Sequence, residues 1–469
     1  MMDITQRLNL YTEQRRYTEV GNSEVFVEIF GDEVKYCYEM RRWLYWDGNR
    51  WKIDVSGKTE QKARTVVIGI YQDAARTEDV ELRQRILRHA ERSNTAAGFR
   101  NILTCARSDL AISENDLDIN GYLFNVRNGT IDLRTFELRP HNKEDLLSKI
   151  ANVEYVPGAE CPAWKEHIQT IFDNSQNLID TFQEIAGYSL AGIGNPEAGF
   201  FVLHGKGRNG KSVTLRVLEH IFGDYGTNIA PQTLAWMKGD RVRTDLLHMK
   251  GARLITCTEP KKSIRLDDGL IKSLTGQDRL TARHLYGEEI DFNISGTLFL
   301  ATNYRPKIDD QSVAMWHRVW LIPFDHFFPP EQQDTGIYEK LIAEGPGIFN
   351  WLLEGWKRYC DTGKLRKCGK IASETREYQN SEDVFYEFLK KYVIDPNDPT
   401  CRIKASEFYK QYSVWCLDEG IQKISQTAFG REMGIRFRKE RCDNGIYYLG
   451  VGEPQQLKIA GQEPIGVGS

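Results

Sequence analysis

No stretch of this sequence approaches the roughly 20 consecutive apolar residues that cross a bilayer. The first residues, Met1-Met2-Asp3-Ile4-Thr5-Gln6-Arg7, hold no apolar signal core either. The expectation is a cytoplasmic protein, of a bacterial cell or a phage-infected host, with no membrane partner. Basic excess is also lacking. A net charge of −4 excludes bulk attraction to a polyanion, though not a local basic channel. The nine cysteines form no C-x-x-C and no Cys/His pairs at zinc spacing, which argues against a zinc module and for reduced thiols. Pro/Gly breaks are few in the first 195 residues, and Val156-Pro157-Gly158-Ala159-Glu160-Cys161-Pro162 is the clear one. What remains, 41% apolar and 27% charged, is ordinary for a globular chain whose length predicts about two to four domains.

One segment organises the rest. Gly205-Lys206-Gly207-Arg208-Asn209-Gly210-Lys211-Ser212 fits G-x-x-x-x-G-K-[ST]. It follows the apolar run Phe200–His204 and precedes Val213, Val217, Leu218 and Ile221 at helical spacing, with Gly223 as a stop. Glycines let backbone N–H groups close around phosphate oxygens, and a helix N-terminus adds partial positive charge. Lys211 is expected to reach the β- and γ-phosphates of ATP, and the Ser212 hydroxyl to ligate Mg²⁺.

Four short apolar strands, Phe200–His204, Arg253–Thr258, Thr297–Thr302 and Val319–Pro323, alternate with helical or loop segments, which predicts a mostly parallel sheet with flanking helices. Glu259 ends the second strand, where a carboxylate orients the attacking water or holds Mg²⁺ through water. Asn303 ends the third, placed for the γ-phosphate or its water, or simply for a turn. Arg318 precedes the fourth, where one subunit can present it to a neighbour's γ-phosphate. Between the second and third strands, Leu280–Tyr286 and Ile290–Phe292 read as a hairpin turning at Gly287, whose cations are candidates for a DNA backbone.

Upstream, Arg42 to Trp51 alternates aromatic and polar residues around Asp47-Gly48-Asn49, a hairpin signal whose three tryptophans read as a small core rather than a base-stacking platform. Residues 75–110 read as helical. Asp116-Leu117-Asp118 has the D-x-D spacing of a polymerase metal pair, but no second acid cluster completes such a centre. Trp164 to Ala191 reads as helices forming a collar. Downstream, residues 331–375 read as helical. Three further helices and a basic hairpin, Arg436–Arg441 with Ile446–Gly450 around Asp443-Asn444-Gly445, make a winged helix-turn-helix pattern, with Arg436 and Arg438 as DNA candidates.

With these residues in place, the chain resembles the superfamily 3 helicases, closest to the phage and plasmid primase–helicase group whose helicase half is shared with poxviruses. The phosphate loop, Gly251-Ala252-Arg253 running into Glu259, and Thr275-Gly276-Gln277-Asp278 with Thr281-Ala282-Arg283 carry the resemblance. So do Ala301-Thr302-Asn303 and Trp316-His317-Arg318 running into Ile322-Pro323-Phe324. It implies an α/β fold: an AAA+-like P-loop ATPase with a parallel sheet, preceded by a mixed α+β accessory domain and followed by a winged-helix domain. It also implies a hexameric ring with ATP and Mg²⁺ between subunits, moving 3′ to 5′ on single-stranded and forked DNA and replicating a phage, plasmid or mobile element. Lys211 and Ser212 then bind phosphate and Mg²⁺, Glu259 activates water, Asn303 is the sensor, and Arg318 is the finger from the next subunit. Lys272, Arg283 and His284 are the pore candidates for DNA.

Thr258 stands where many such proteins carry a second acid, Gly287 where relatives often carry Lys, and His317 where Arg is frequent. No upstream primase centre is legible, so the chain reads as the helicase portion, with room for a separate primase or initiator as partner. The alternatives are an origin-binding or loading ATPase that does not unwind, a AAA+ remodeller acting on protein, and a residual primase–helicase. The expected layout is an accessory domain over 1–155, a helical collar over 160–195 and the ATPase over 196–330. A helical segment over 331–378, a winged-helix domain over 379–452 and a loose tail over 453–469 follow.

Overall fold

The apolar runs come together as one parallel sheet in the structure, a computed structural model that describes residues 17–238, 243–258, 264–283, 289–398 and 400–453. The chain divides into two compact units, Met1–Pro306 with His317–Ala372, and Lys307–Trp316 with Ser373–Ser469. In the first unit the elements run β1 (Phe200–His204), α1 (Lys211–Phe222), β2 (Gly226–Ile229), β3 (Leu254–Thr258), α2 (Asp268–Thr275), β4 (Arg279–Arg283), β5 (Glu289–Asn293), β6 (Thr297–Thr302) and β7 (Val319–Pro323). The sheet order is β7-β1-β6-β3-β2, and every neighbouring pair is parallel. A parallel sheet is covered on both faces, so its strands read as continuous apolar runs rather than alternating ones. β6 and β7 accordingly bury every residue and β1 all but His204.

The fifth strand, β2, was not among the four expected. Its Gly226-Thr227-Asn228-Ile229 lies at the sheet edge and buries only Ile229, so it carries no hydrophobic run to read. β4 and β5 pair antiparallel from Arg279↔Asn293 to Arg283↔Glu289. The expected turn at Gly287 lies outside the described residues.

The upstream part has its own core. Strands Trp51–Ile53, Arg42–Trp46, Val34–Cys37 and Ala111–Ile112 form a sheet in that order, antiparallel except for the last pair. The Trp43–Trp51 aromatics are part of this packing. Trp51 is buried and its indole N–H donates to the Lys143 carbonyl at 2.8 Å, while Trp43 meets Phe26 and Tyr36 edge-on. The helical expectation over 75–110 corresponds to two helices, Val80–Ser93 and Ala96–Ala106, and a further helix, Lys58–Arg76, precedes them. Asp79 caps Val80–Ser93 and Thr95 caps Ala96–Ala106 through their side chains. Helices Pro162–Ile171 and Gln176–Tyr188 then lead to β1, and Gln176–Tyr188 packs along Gly345–Thr362.

In the second unit, helices Val384–Leu389, Ala405–Asp418 and Gln426–Arg436 pack around Phe388, Phe408, Tyr412, Phe429 and Met433. Ser425 accepts the Ala428 N–H at 3.2 Å and caps the third helix. A three-stranded antiparallel sheet, Arg402–Lys404, Gly445–Leu449 and Arg438–Cys442, completes it, with the hairpin closing at Cys442↔Gly445. The tail beyond Glu453 lies outside the described residues. Among the described residues no helix is long and apolar enough to cross a membrane.

Candidate functional site

The loop Gly205–Gly210 leaves the C-terminal end of β1 and enters α1, so it sits above the middle of the sheet, with β7 and β6 on either side. In open parallel sheets this edge is where ligands bind. Gly207 and Gly210 adopt left-handed φ values of 97° and 83°. At Gly210 a Cβ would lie 2.7 Å from Ile171 Cδ1, so only glycine lets the upstream helix pack this close to the loop.

Lys211 is buried, and its ammonium donates to the Gly205 carbonyl at 2.8 Å, Asn209 Oδ1 at 2.9 Å and Asn303 Oδ1 at 3.1 Å. The structure therefore brings Lys211 and Asn303 together from the first turn of α1 and the end of β6. Asn209 donates to the Phe324 carbonyl at 3.0 Å, tying the loop to the end of β7. Lys206 and Arg208 are exposed on the loop, and Ser212 on the first turn of α1. A cleft of about 200 Å³ is lined by Gly207 to Val213 and Ala301 to Asn303. These features suit a polyphosphate: backbone N–H groups at a helix N-terminus, a buried ammonium and an open hydroxyl at Ser212. Glu259, the expected partner of Ser212 for Mg²⁺, lies outside the described residues, as does His284. β3 ends at the half-buried Thr258.

Arg318 lies at the other end of the strands. Val319 pairs with Phe200 and Pro323 with His204, so Arg318 stands some five residues, roughly 16 Å, back from its own phosphate loop. Its Nε donates to Thr275 Oγ1 at 3.1 Å. Lys272 is half-buried on α2. Arg283 closes β4, and its side chain lies outside the described residues. In the second unit Arg436 is bound at home, to Asp383 at 2.9 Å and Glu432 at 2.7 Å, whereas Arg438 is exposed on the hairpin.

Asp116 and Asp118 serve local architecture. Asp116 accepts the Ser113 N–H at 3.0 Å, and Asp118 accepts the Ser148 N–H at 2.9 Å and its hydroxyl. Glu114 pairs with Lys250 at 2.6 Å.

Two features escaped the sequence reading. Arg253, fully buried just before β3, donates to the Leu190 carbonyl at 2.6 Å and the Leu123 carbonyl at 2.7 Å and lies over the Tyr225 ring. It joins the sheet to the upstream part, where the Gly192 N–H also meets the Gly121 carbonyl at 2.9 Å. In the sequence Arg253 stands at the start of a strand and in the Gly251-Ala252-Arg253 run, without this tying role. His167, on helix Pro162–Ile171, bonds Thr214 of α1 at 3.1 Å, and burial pushes its imidazole down to about 4. No local pattern marks it.

Residues 23–173 match the family model described as D5 N terminal like, and residues 203–318 match a family of unknown function (DUF5906). The "Putative helicase L207/L206" of Acanthamoeba polyphaga mimivirus is 27% identical over 346 residues, 68% of this chain and 35% of that protein. The "Putative primase C962R" of African swine fever virus (strain Badajoz 1971 Vero-adapted) is 24% identical over 322 residues, 64% and 34% respectively. The chain thus spans about a third of the length of the curated relatives it matches. Among solved structures, the apo NrS-1 C terminal region (305-718) is similar at a TM-score of 0.53 and 12% identity, covering 94% of this chain and all of that one. That likeness is one of fold.

Proposed function

We propose that this chain, with its matches to the D5 N terminal like model and to viral putative helicases and primases, is a member of the D5-like primase–helicase family and an ATP-driven DNA helicase motor of the superfamily 3 type. The observation that carries the reading is the Lys211 ammonium, buried inside a glycine loop at the strand ends and held by three oxygens, one of them from Asn303. Phosphate oxygens can replace those acceptors without leaving the charge unsatisfied. Asn303, already within reach of Lys211, then faces the terminal phosphate as the sensor. Ser212 offers its hydroxyl to Mg²⁺, which when bound neutralises charge on the phosphates. Glu259, next in sequence after β3, is assigned the water.

Arg318 cannot serve the loop of its own subunit from the opposite end of the strands, which favours a ring in which it completes the neighbour's site. The β4–β5 hairpin, with Arg283 and His284, is assigned to the DNA strand, and the exposed Arg438 hairpin of the second unit to duplex or forked DNA. A six-membered ring and 3′-to-5′ movement belong to the same proposal. Priming through Asp116 and Asp118 does not, because their carboxylates are occupied by Ser113 and Ser148 respectively.

The test is strand displacement with ATP and Mg²⁺ on forks carrying either a 3′ or a 5′ tail, with Lys211→Ala as control. Unwinding from the 3′ tail alone, lost in the variant, is expected. Hydrolysis without unwinding of either fork would favour a loading ATPase or a protein remodeller instead.

A further inference from the structure

The phosphate cleft, at about 200 Å³, is smaller than the roughly 300–1,000 Å³ that small-molecule ligands occupy. It has room for phosphates, and a nucleotide's base and sugar must lie elsewhere. A second cavity of about 560 Å³ adjoins it and shares Arg208, Gly210 and Val213 with it. Its walls come from two segments far apart in sequence. One is helix Pro162–Ile171, with His167 and Thr170; the other runs from Phe328 to Lys340, with Gln333 and Ile337.

Both walls are fastened to the phosphate loop. Ile171 rests against Gly210, and His167 bonds Thr214 at 3.1 Å. The Phe328 N–H donates to the Arg208 carbonyl at 2.8 Å. Charge on the lining is confined to the exposed Glu166 and Arg208 and to the Lys340–Asp334 pair. Burial keeps His167 neutral, and Gln333 is turned onto the Phe328 carbonyl at 2.9 Å. Apolar surface from Val213, Phe328 and Ile337 faces neutral polar groups. That combination suits a flat, uncharged ring carrying its own hydrogen-bonding edge.

We infer that this second cavity is the nucleoside site, holding the base and ribose of a nucleoside triphosphate whose phosphates lie on Gly205–Ser212. The inference rests on the nucleotide reading above and adds that the helix upstream of the sheet is one wall of the site. A ligand there touches helix Pro162–Ile171 and the Phe328–Lys340 segment together, so both register whether the loop is filled.

Two probes separate the halves of the ligand: ATP, and inorganic tripolyphosphate, which has no base. Thr170→Trp fills the cavity and leaves the phosphate loop intact. Its KM for ATP is expected to rise at least about tenfold, with the inhibition constant of tripolyphosphate unchanged. Photolabelling of the wild-type chain by 8-azido-ATP needs no variant to fold, and adducts are expected in peptides covering 163–170 or 328–340. An unchanged KM in Thr170→Trp, or adducts confined to other peptides while Lys211→Ala still abolishes binding, overturns the assignment of this cavity alone. Failure of both ATP and tripolyphosphate to bind the wild-type chain overturns the nucleotide reading and this inference with it.

Discussion

Arg318 and Thr275 are joined by a hydrogen bond of 3.1 Å from the guanidinium Nε to the hydroxyl oxygen, across the base of the sheet. Thr275 is fully buried, ends α2, and passes its own hydroxyl proton to the Ile271 carbonyl at 2.7 Å. α2 leads within four residues into β4, so the side chain assigned to the neighbour's phosphate stands on the helix that feeds the hairpin. In the proposed ring, this contact makes occupancy of one site and hairpin position in the next mechanically adjacent.

Arg318→Ala is expected to lower ATP turnover by about a thousandfold or more, the range typical of an arginine finger. Mixing it with Glu259→Gln subunits, whose Arg318 is intact, should restore part of the activity. No recovery in demonstrated mixed rings would remove Arg318 from the neighbour's site. Thr275→Val should reduce the stimulation of ATPase by single-stranded DNA more than the basal rate, and Thr275→Ser should retain it. Equal loss in both would mean that Thr275 matters only for packing.

His167 gives a pH signature. Its folded pKa of about 4 lies below the ordinary 6.5, because burial penalises the charged ring. Above pH 6.5 both folded and unfolded forms are neutral and the contribution to stability is at its full value. As pH falls toward about 4 the unfolded chain takes up the proton first, and stability declines by up to an order-of-magnitude 3 kcal/mol. Unfolding midpoints followed from pH 7 to 4 should therefore fall less steeply in His167→Leu than in wild type. Parallel slopes would mean that His167 is protonated inside the fold.

Arg253→Met should destabilise the first unit by at least about 2 kcal/mol, since it leaves the buried Leu123 and Leu190 carbonyls without their donor. Hydrogen exchange should rise in both the Leu123–Val126 strand and β3. A rise confined to β3 would show that the upstream part does not depend on this contact.

In the second unit, Arg438→Ala is expected to weaken DNA binding and reduce the salt dependence of affinity by about one counterion. Arg436→Ala should instead lower thermal stability with little change in salt slope, because its charge is already spent on Asp383 and Glu432. An equal loss of affinity in both variants would mean that the Arg436 pairs open on binding.

Much of the core was legible because its signals are local. The phosphate loop is contiguous, β1, β6 and β7 are continuous apolar runs, and the Asp443-Asn444-Gly445 turn states its own hairpin. β2 was not legible, since an edge strand with one buried side chain has no hydrophobic period. Helix Lys58–Arg76 was missed although it buries Ala63, Val66, Val67 and Ile70, and the Thr59 N–H in its first turn donates to the Asp54 carboxylate, five residues earlier. The D-x-D pair, set aside in the sequence for want of a second acid cluster, accepts the Ser113 and Ser148 N–H groups. The nucleoside cavity is illegible in principle: its walls are more than 150 residues apart, and nothing in either segment names the other.

The Pro-Gly break at Val156–Pro162 invites dissection into an upstream fragment and a fragment with the parallel sheet. A cut there would leave the Leu123 carbonyl on one piece and the Arg253 guanidinium on the other, and would part the backbones of Gly121 and Gly192. The seam in composition is not a seam in the molecule. A fragment of this chain that is to keep the parallel sheet with Arg253 satisfied has to carry its upstream neighbour.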